Sequence, residues 1–281
     1  GGFAEMTRIV AEDDRAAAGP WGTLGMLGGL SWFFVFGLGV AGQPHIVTKF
    51  MMLERVKDLR HVIPLGVLAY ATTALLWIGI GMAMRALVLT GAHPTLTTPD
   101  AASPEFLQAF THPILAGVVF AALLAAIMST ADAFLNIGTA ALVHDMPRAV
   151  RGRPLANELR WARLVTALLA VAAAAIALYS GDLVALLGAF GWGTFAAGLV
   201  PVIAIGLHWR RASPLAANLA IASSLAVNFG ARLGGVRLPW GIDHGAAALL
   251  VSLVLFLSAS FLSRPRPIPH DIRTALDIGS P

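Results

Sequence analysis

Ala126, Ser129 and Thr130 lie halfway along an apolar run bounded by Pro113 and Asp145. At i, i+3 and i+4 they share one helical face, which brings a backbone carbonyl oxygen and two hydroxyls within a few ångströms of one another. A small hard cation takes oxygen ligands, and neutral ones hold sodium loosely enough to release it. The same spacing also lets both hydroxyls bond back to the carbonyls one turn earlier. Spacing alone therefore leaves an ion site and a self-satisfied helix both open. Asp132 follows closely and is the one acid inside an apolar run. An ionisable residue at bilayer depth is a functional candidate, and here direct ion contact competes with a structural or gating hydrogen bond.

A second constellation is Gly37, Gly39 and Gly42 followed by Gln43-Pro44-His45, in a stretch with no charged residue between Arg15 and Lys49. Glycine costs a helix about 1 kcal/mol and proline about 3. Such a cluster is expected to break a helix near mid-membrane, where the freed backbone groups must meet a ligand, an ion or a neighbouring helix. A groove of small residues for helix packing is the alternative. The other polar landmarks read as structural. His45 and His144 have no carboxylate spaced to partner them and are expected as capping or surface residues. Trp21, Trp161, Trp209 and Trp240 fall near the ends of apolar runs, as an interfacial belt would.

These residues need membrane-spanning helices to carry them, and the composition supplies such helices. Hydrophobic residues make up 57% and charged residues 12% of the 281, and the mean hydropathy is +0.77, outside the range of water-soluble domains. With no cysteine, thiolate metal sites and thiol catalysis are excluded. The basic residues form no stripe interleaved with aromatics, so nucleic acid is not indicated. Seven apolar stretches, at 22–48, 62–90, 112–143, 161–180, 183–208, 213–230 and 245–263, reach or approach the ~20 residues of a spanning helix. The stretch 213–230 carries Asn218, Ser223, Ser224 and Asn228 and is expected to pack among other helices rather than face lipid.

All but five of the 19 Lys and Arg fall in the first, third, fifth and last connections. Basic residues stay on the cytoplasmic side, so the N-terminus is expected outside and the C-terminus in the cytoplasm of a bacterial inner membrane. The polar ends 1–18 and 264–281 are expected as loop or tail. No period of 20 to 50 residues recurs.

The string Gly42-Gln43-Pro44-His45-Ile46 with Lys49-Phe50-Met51, then Ala125-Ala126-Ile127-Met128-Ser129-Thr130-Ala131-Asp132, resembles the sodium/solute symporter family of proline, pantothenate and sugar symporters. Pro201 and Gly206-Leu207-His208-Trp209-Arg210-Arg211 extend the resemblance over nearly the whole chain. It implies an all-α membrane protein of seven transmembrane helices, the second half of a leucine-transporter-like inverted-repeat fold. On that division 1–21 is an external segment, 22–208 the second five-helix repeat, 209–263 two additional helices and 264–281 a cytoplasmic tail.

The resemblance also implies sodium as the coupling ion, bound by Ala126, Ser129 and Thr130 together with ligands from a first repeat that this chain does not contain. A missing N-terminal half would then be a required partner. Phe36, Val40, Gln43 and Pro44 would form the solute site, around a helix break at Gly37, Gly39 and Gly42, with Asp132 in a gating or structural role. Amino-acid symporters of the family often carry Trp and Tyr where Phe36 and Val40 stand. The loss of both polar tips leaves a monocarboxylate or another small organic solute as open as an amino acid. A symporter-like membrane sensor, a non-transporting fragment and an intramembrane hydrolase using Ser129 and Asp132 are the competing readings. The last lacks a histidine at matching depth and a Gly-x-Ser-x-Gly motif.

Overall fold

The structure, a computed structural model, describes residues 2–179, 181 and 184–263. The expected tail 264–281, and with it Arg264, Arg266 and Arg273, lies outside the described residues, as does Asp182. Among the described residues the secondary structure is helical throughout, with no strand. Seven helical segments there are long and apolar enough to cross a membrane: Gly22–Gly42, Val56–Leu89, Pro113–Arg151, Glu158–Tyr179, Val184–Ile205, Pro214–Leu233 and His244–Leu262. They match the seven apolar stretches read from the sequence, with ends shifted by several residues where helices run into the connections.

The chain divides into two compact units, one formed by residues up to Met51 together with those from Val184 on, the other by Met52–Leu183. The first unit opens with α1 (Phe3–Asp13), which corrects the expectation of a loop at the N-terminus. Its helicity has local causes. Arg8 pairs with Glu5 at i,i+3 and with Glu12 at i,i+4, and the Thr7 hydroxyl donates to the Phe3 carbonyl at 2.8 Å. The hydrogen bond and positive charge of Arg8 hold the Glu5 carboxyl below its usual range. Next come α2 (Gly25–Gly39) and the short α3 (Pro44–Met51).

In the second unit, α4 (Leu59–Leu89) runs for 31 residues with Pro64 inside it, where the missing N–H leaves the Arg60 carbonyl without its i+4 donor. The connection after it contains α5 (Ala102–Phe110), then α6 (Pro113–Ala140) begins with proline at its first position. A π-helical turn, Ala141–Asp145, joins α6 to α7 (Met146–Arg151). Its wide register falls where Pro147 can offer no N–H to the carbonyl of Val143. The chain reverses at Gly152, in the left-handed region, and returns as α8 (Glu158–Tyr179). α8 packs on the C-terminal part of α6, where Thr139 and Thr166 share a hydrogen bond of 2.8 Å.

The first unit is completed by α9 (Val184–Val200), α10 (Pro214–Leu233) and α11 (His244–Leu262). These three pack on one another and, through α9 and α11, on α2. α10 buries Ala216, Ala220, Ser224 and Asn228, one residue per turn; Ser223 is half-buried and Asn218 exposed, so of the four polar residues expected to pack among helices only Ser224 and Asn228 are buried. Asn228 donates through Nδ2 to Thr194 Oγ1 at 2.6 Å, and the Arg232 guanidinium sits 4.7 Å above the Phe190 ring. Pro201 interrupts the hydrogen-bond ladder at the end of α9, where a π turn, Pro201–Ile205, follows. The carbonyl it deprives of a partner is that of Ala197. The Ser252 hydroxyl of α11 donates to that carbonyl at 2.6 Å, so a proline defect in one helix is met by a serine in the next.

Candidate functional site

The break lies later than the glycines alone suggest. α2 stays helical through Gly37 and ends at Gly39; Val40–Gly42 form a 3-10 turn, and Gln43 is extended with ψ 108° before Pro44 starts α3. A proline with no N–H to lose and φ fixed near the helical value suits that first position. A Cβ at Gly37 would meet nothing within 4 Å. At Gly39 it would lie 2.7 Å from Trp192 Nε1 and 2.9 Å from Ala196 Cβ, and at Gly42 2.9 Å from the Phe195 carbonyl oxygen. Gly39 and Gly42 are therefore small because α9 presses its side chains and backbone against the break.

Two hydrogen bonds tie the break to α9, and a third closes it on itself. Gln43 is wholly buried, and its Nε2 donates to the carbonyls of Gly39 at 3.2 Å and Trp192 at 3.0 Å. Its Oε1 has no hydrogen-bond partner. Trp192 Nε1 donates to the Val35 carbonyl at 3.1 Å. The indole also stacks, tilted, on Phe36 with centroids 5.3 Å apart, and Phe36 lies 5.5 Å from Trp32. Phe36 and Val40 are each more than a third exposed, whereas Pro44 is half-buried.

Trp192 was not singled out by sequence reasoning, which looked for tryptophan at span ends. The signal was present, since Trp192 stands between Gly191 and Gly193 in mid-span and an indole N–H in an apolar layer needs an acceptor. Among the end tryptophans, Trp209 packs against Phe261 and Phe256, with centroids 5.0 and 6.3 Å away.

In the second unit, Ser129 Oγ donates to the Ala126 carbonyl at 3.2 Å and Thr130 Oγ1 to the same carbonyl at 3.1 Å. The three oxygens thus converge on one face of α6, with both hydroxyls bonded back to their own helix. Each hydroxyl oxygen keeps lone pairs free for a further donor or a cation. Residues 121–132, Asp132 included, are all exposed. Among the described residues no group of three His, Asp or Glu could hold a metal. His144 differs from expectation. Its Nδ1 lies 3.0 Å from Glu158 Oε1, a carboxylate brought back by the turn between α7 and α8.

The sodium:solute symporter family matches residues 5–223. The sodium/proline symporter of Staphylococcus aureus is 31% identical over 207 residues, covering 70% of this chain and 40% of that protein. The sodium/proline symporters of strains JH9 and Newman match to the same extent. The chain thus spans about two fifths of the length of these relatives. No solved structure matches it. On this evidence the chain belongs to the sodium:solute symporter family, whose members are multi-pass membrane transporters rather than enzymes.

Proposed function

We propose that this chain forms the second part of a sodium-coupled symporter for a small organic solute, a monocarboxylate or an amino acid, and works with an N-terminal portion like that of its longer relatives. The reading rests on one observation above others: in a chain of this family, the Ser129 and Thr130 hydroxyls both lie within 3.2 Å of the Ala126 carbonyl on an exposed face of a spanning helix. Sodium is cargo here, and a site of neutral oxygens releases it more readily than one built on carboxylates would. Three oxygens are too few for a dehydrated cation, and on this reading the N-terminal portion supplies the remaining ligands. Asp132 orients or gates the site by hydrogen bonding.

The solute site is at the break in α2. Phe36 and Val40 offer it exposed side chains, while Gln43 and Pro44 act through the backbone they fix. In the leucine-transporter-like arrangement, residues 22–208 make the second five-helix repeat and 209–263 add two helices. The Arg-rich connections support an orientation with the N-terminus outside and the tail 264–281 on the cytoplasmic side of the inner membrane. Sodium/proline symport is what the relatives' names describe; the absence of Trp and Tyr at Phe36 and Val40 keeps a monocarboxylate equally in view.

The test is uptake into proteoliposomes by a transporter completed with the portion of the relatives that this chain does not cover. Proline and pyruvate serve as solutes, with and without an inward sodium gradient. Accumulation of either only under the gradient is expected. Equal accumulation with potassium in place of sodium would contradict the reading. Reporter fusions after Arg153 and after Gly181 should read cytoplasmic and external, and the reverse would refute the orientation.

A further inference from the structure

We propose that Trp192 is a positioning residue of the solute site, a residue of α9 that holds the broken helix on both sides of its break, through its indole before the break and through its indole and backbone carbonyl after it. It rests on the reading of that break as the solute site. The indole N–H donates to the Val35 carbonyl, one turn before α2 ends. The backbone carbonyl of the same residue receives the Gln43 amide, which at once ties back to Gly39. The ring covers Phe36 from 5.3 Å, and the His45 ring meets it edge-on at 6.2 Å. Residues 35, 36 and 45 are thus referenced to the indole of Trp192, and residue 43, with residue 39 behind it, to the backbone carbonyl of the same residue. Gly39, with room for no Cβ beside Nε1, lets it come that close.

A helix end between Val40 and Gln43 has its own backbone groups to satisfy, and without an outside donor and acceptor its two halves would be free to tilt about the 3-10 turn. Trp192 supplies both from a helix that is itself packed on α10 and α11. A tilt of that joint would move Phe36 and Val40, on one side, relative to Pro44 on the other. The indole therefore acts on solute affinity through the backbone, without having to touch the solute.

Trp192→Phe keeps an aromatic ring and removes the N–H. In the chain reconstituted into lipid nanodiscs, backbone hydrogen–deuterium exchange over residues 36–47 should rise about tenfold, the loss of one buried hydrogen bond. Residues 214–262 should be unchanged. In the completed transporter the KM for solute should rise by about the same factor, with half-saturation by sodium and kcat at saturation held. Trp192→His, which can still donate from its ring, should recover part of both effects. Unchanged exchange over 36–47, an equal rise over 214–262, or an unaltered solute KM would each overturn the proposal. If Phe36→Trp and Val40→Tyr also leave solute preference untouched, the reading of the break fails as well. If they shift it and Trp192→Phe does not, only the role of Trp192 falls.

Discussion

Around Val40–Gln43, the polar groups displaced by the break are met inside the same unit. α9 lends an indole donor and a carbonyl acceptor, and Gln43 is buried between them. At Ala126–Asp132 the helix is unbroken, its surface is exposed, and the two hydroxyls have settled on a carbonyl of their own turn. The contrast shows two ways in which a helix in an apolar layer can carry polar groups. A break releases backbone groups that only a neighbour can satisfy, so its geometry is fixed by packing and tolerates little change in side-chain volume. Hydroxyls on an intact helix satisfy themselves by back-bonding, so they weigh little on the fold and stay available for exchange with an incoming ligand.

The sharpest way to break the comparison is to add volume. Gly42→Ala brings a Cβ to 2.9 Å from the backbone oxygen of Phe195, which cannot move aside as a side chain could. We expect it to destabilise the first unit by ~1 to 3 kcal/mol, with Gly39→Ala at the lower end. Gly37→Ala, in a helical position with open space around it, should be neutral or stabilising by up to ~1 kcal/mol. Thermal unfolding of the three variants in one detergent checks the order; equal effects would mean that α9 does not press on the break.

Next in size is a change of cargo preference. Phe36→Trp with Val40→Tyr restores the polar tips frequent in amino-acid symporters. It should shift uptake towards proline over pyruvate by about tenfold, on the order of one added hydrogen bond, with sodium dependence unaltered. Equal changes in both would place these side chains away from the solute.

Two smaller effects compare the interhelical hydrogen bonds of the two units. Asn228→Leu removes the bond to Thr194 in the first, and Thr166→Val removes that to Thr139 in the second. Each should cost less than ~1.7 kcal/mol, the upper range for such bonds in membranes. A much larger loss at Asn228 would mean that its buried Oδ1, which has no partner, holds something further. The His144–Glu158 pair is about two fifths exposed on both sides, and Glu158→Gln should change stability by no more than ~0.5 kcal/mol.

The spans were legible because each is a long run of apolar residues closed by charge, proline or glycine, a pattern set by bilayer thickness rather than by any particular contact. The buried polar side of α10 was legible too, since Ser224 and Asn228 fall on one face and could not be left in lipid. What escaped was pairwise. Trp192 carries its N–H in mid-span, but nothing in its neighbourhood names Val35, 157 residues away, as the acceptor. The helicity of Phe3–Asp13 escaped because a polar end suggests loop or tail, whereas Arg8 bridges Glu5 and Glu12 along one face. Glu158 as partner of His144 required the turn between α7 and α8. Gly37 read like Gly39 and Gly42 because glycine spacing says nothing about which of the three faces α9.

The central claim is that the oxygens of Ala126, Ser129 and Thr130 receive sodium, and it is tested most directly by removing the hydroxyls. In the completed transporter, solute uptake is measured against sodium concentration for Ser129→Ala and Thr130→Val at matched expression. Each should raise the sodium concentration for half-maximal uptake about tenfold to hundredfold, the equivalent of ~1 to 3 kcal/mol for a lost coordinating oxygen. The melting temperature should stay where it is, since the hydroxyls bond only within their own turn. If both variants keep the sodium dependence of the unmodified protein, the hydroxyls serve only their own helix and the ion binds elsewhere.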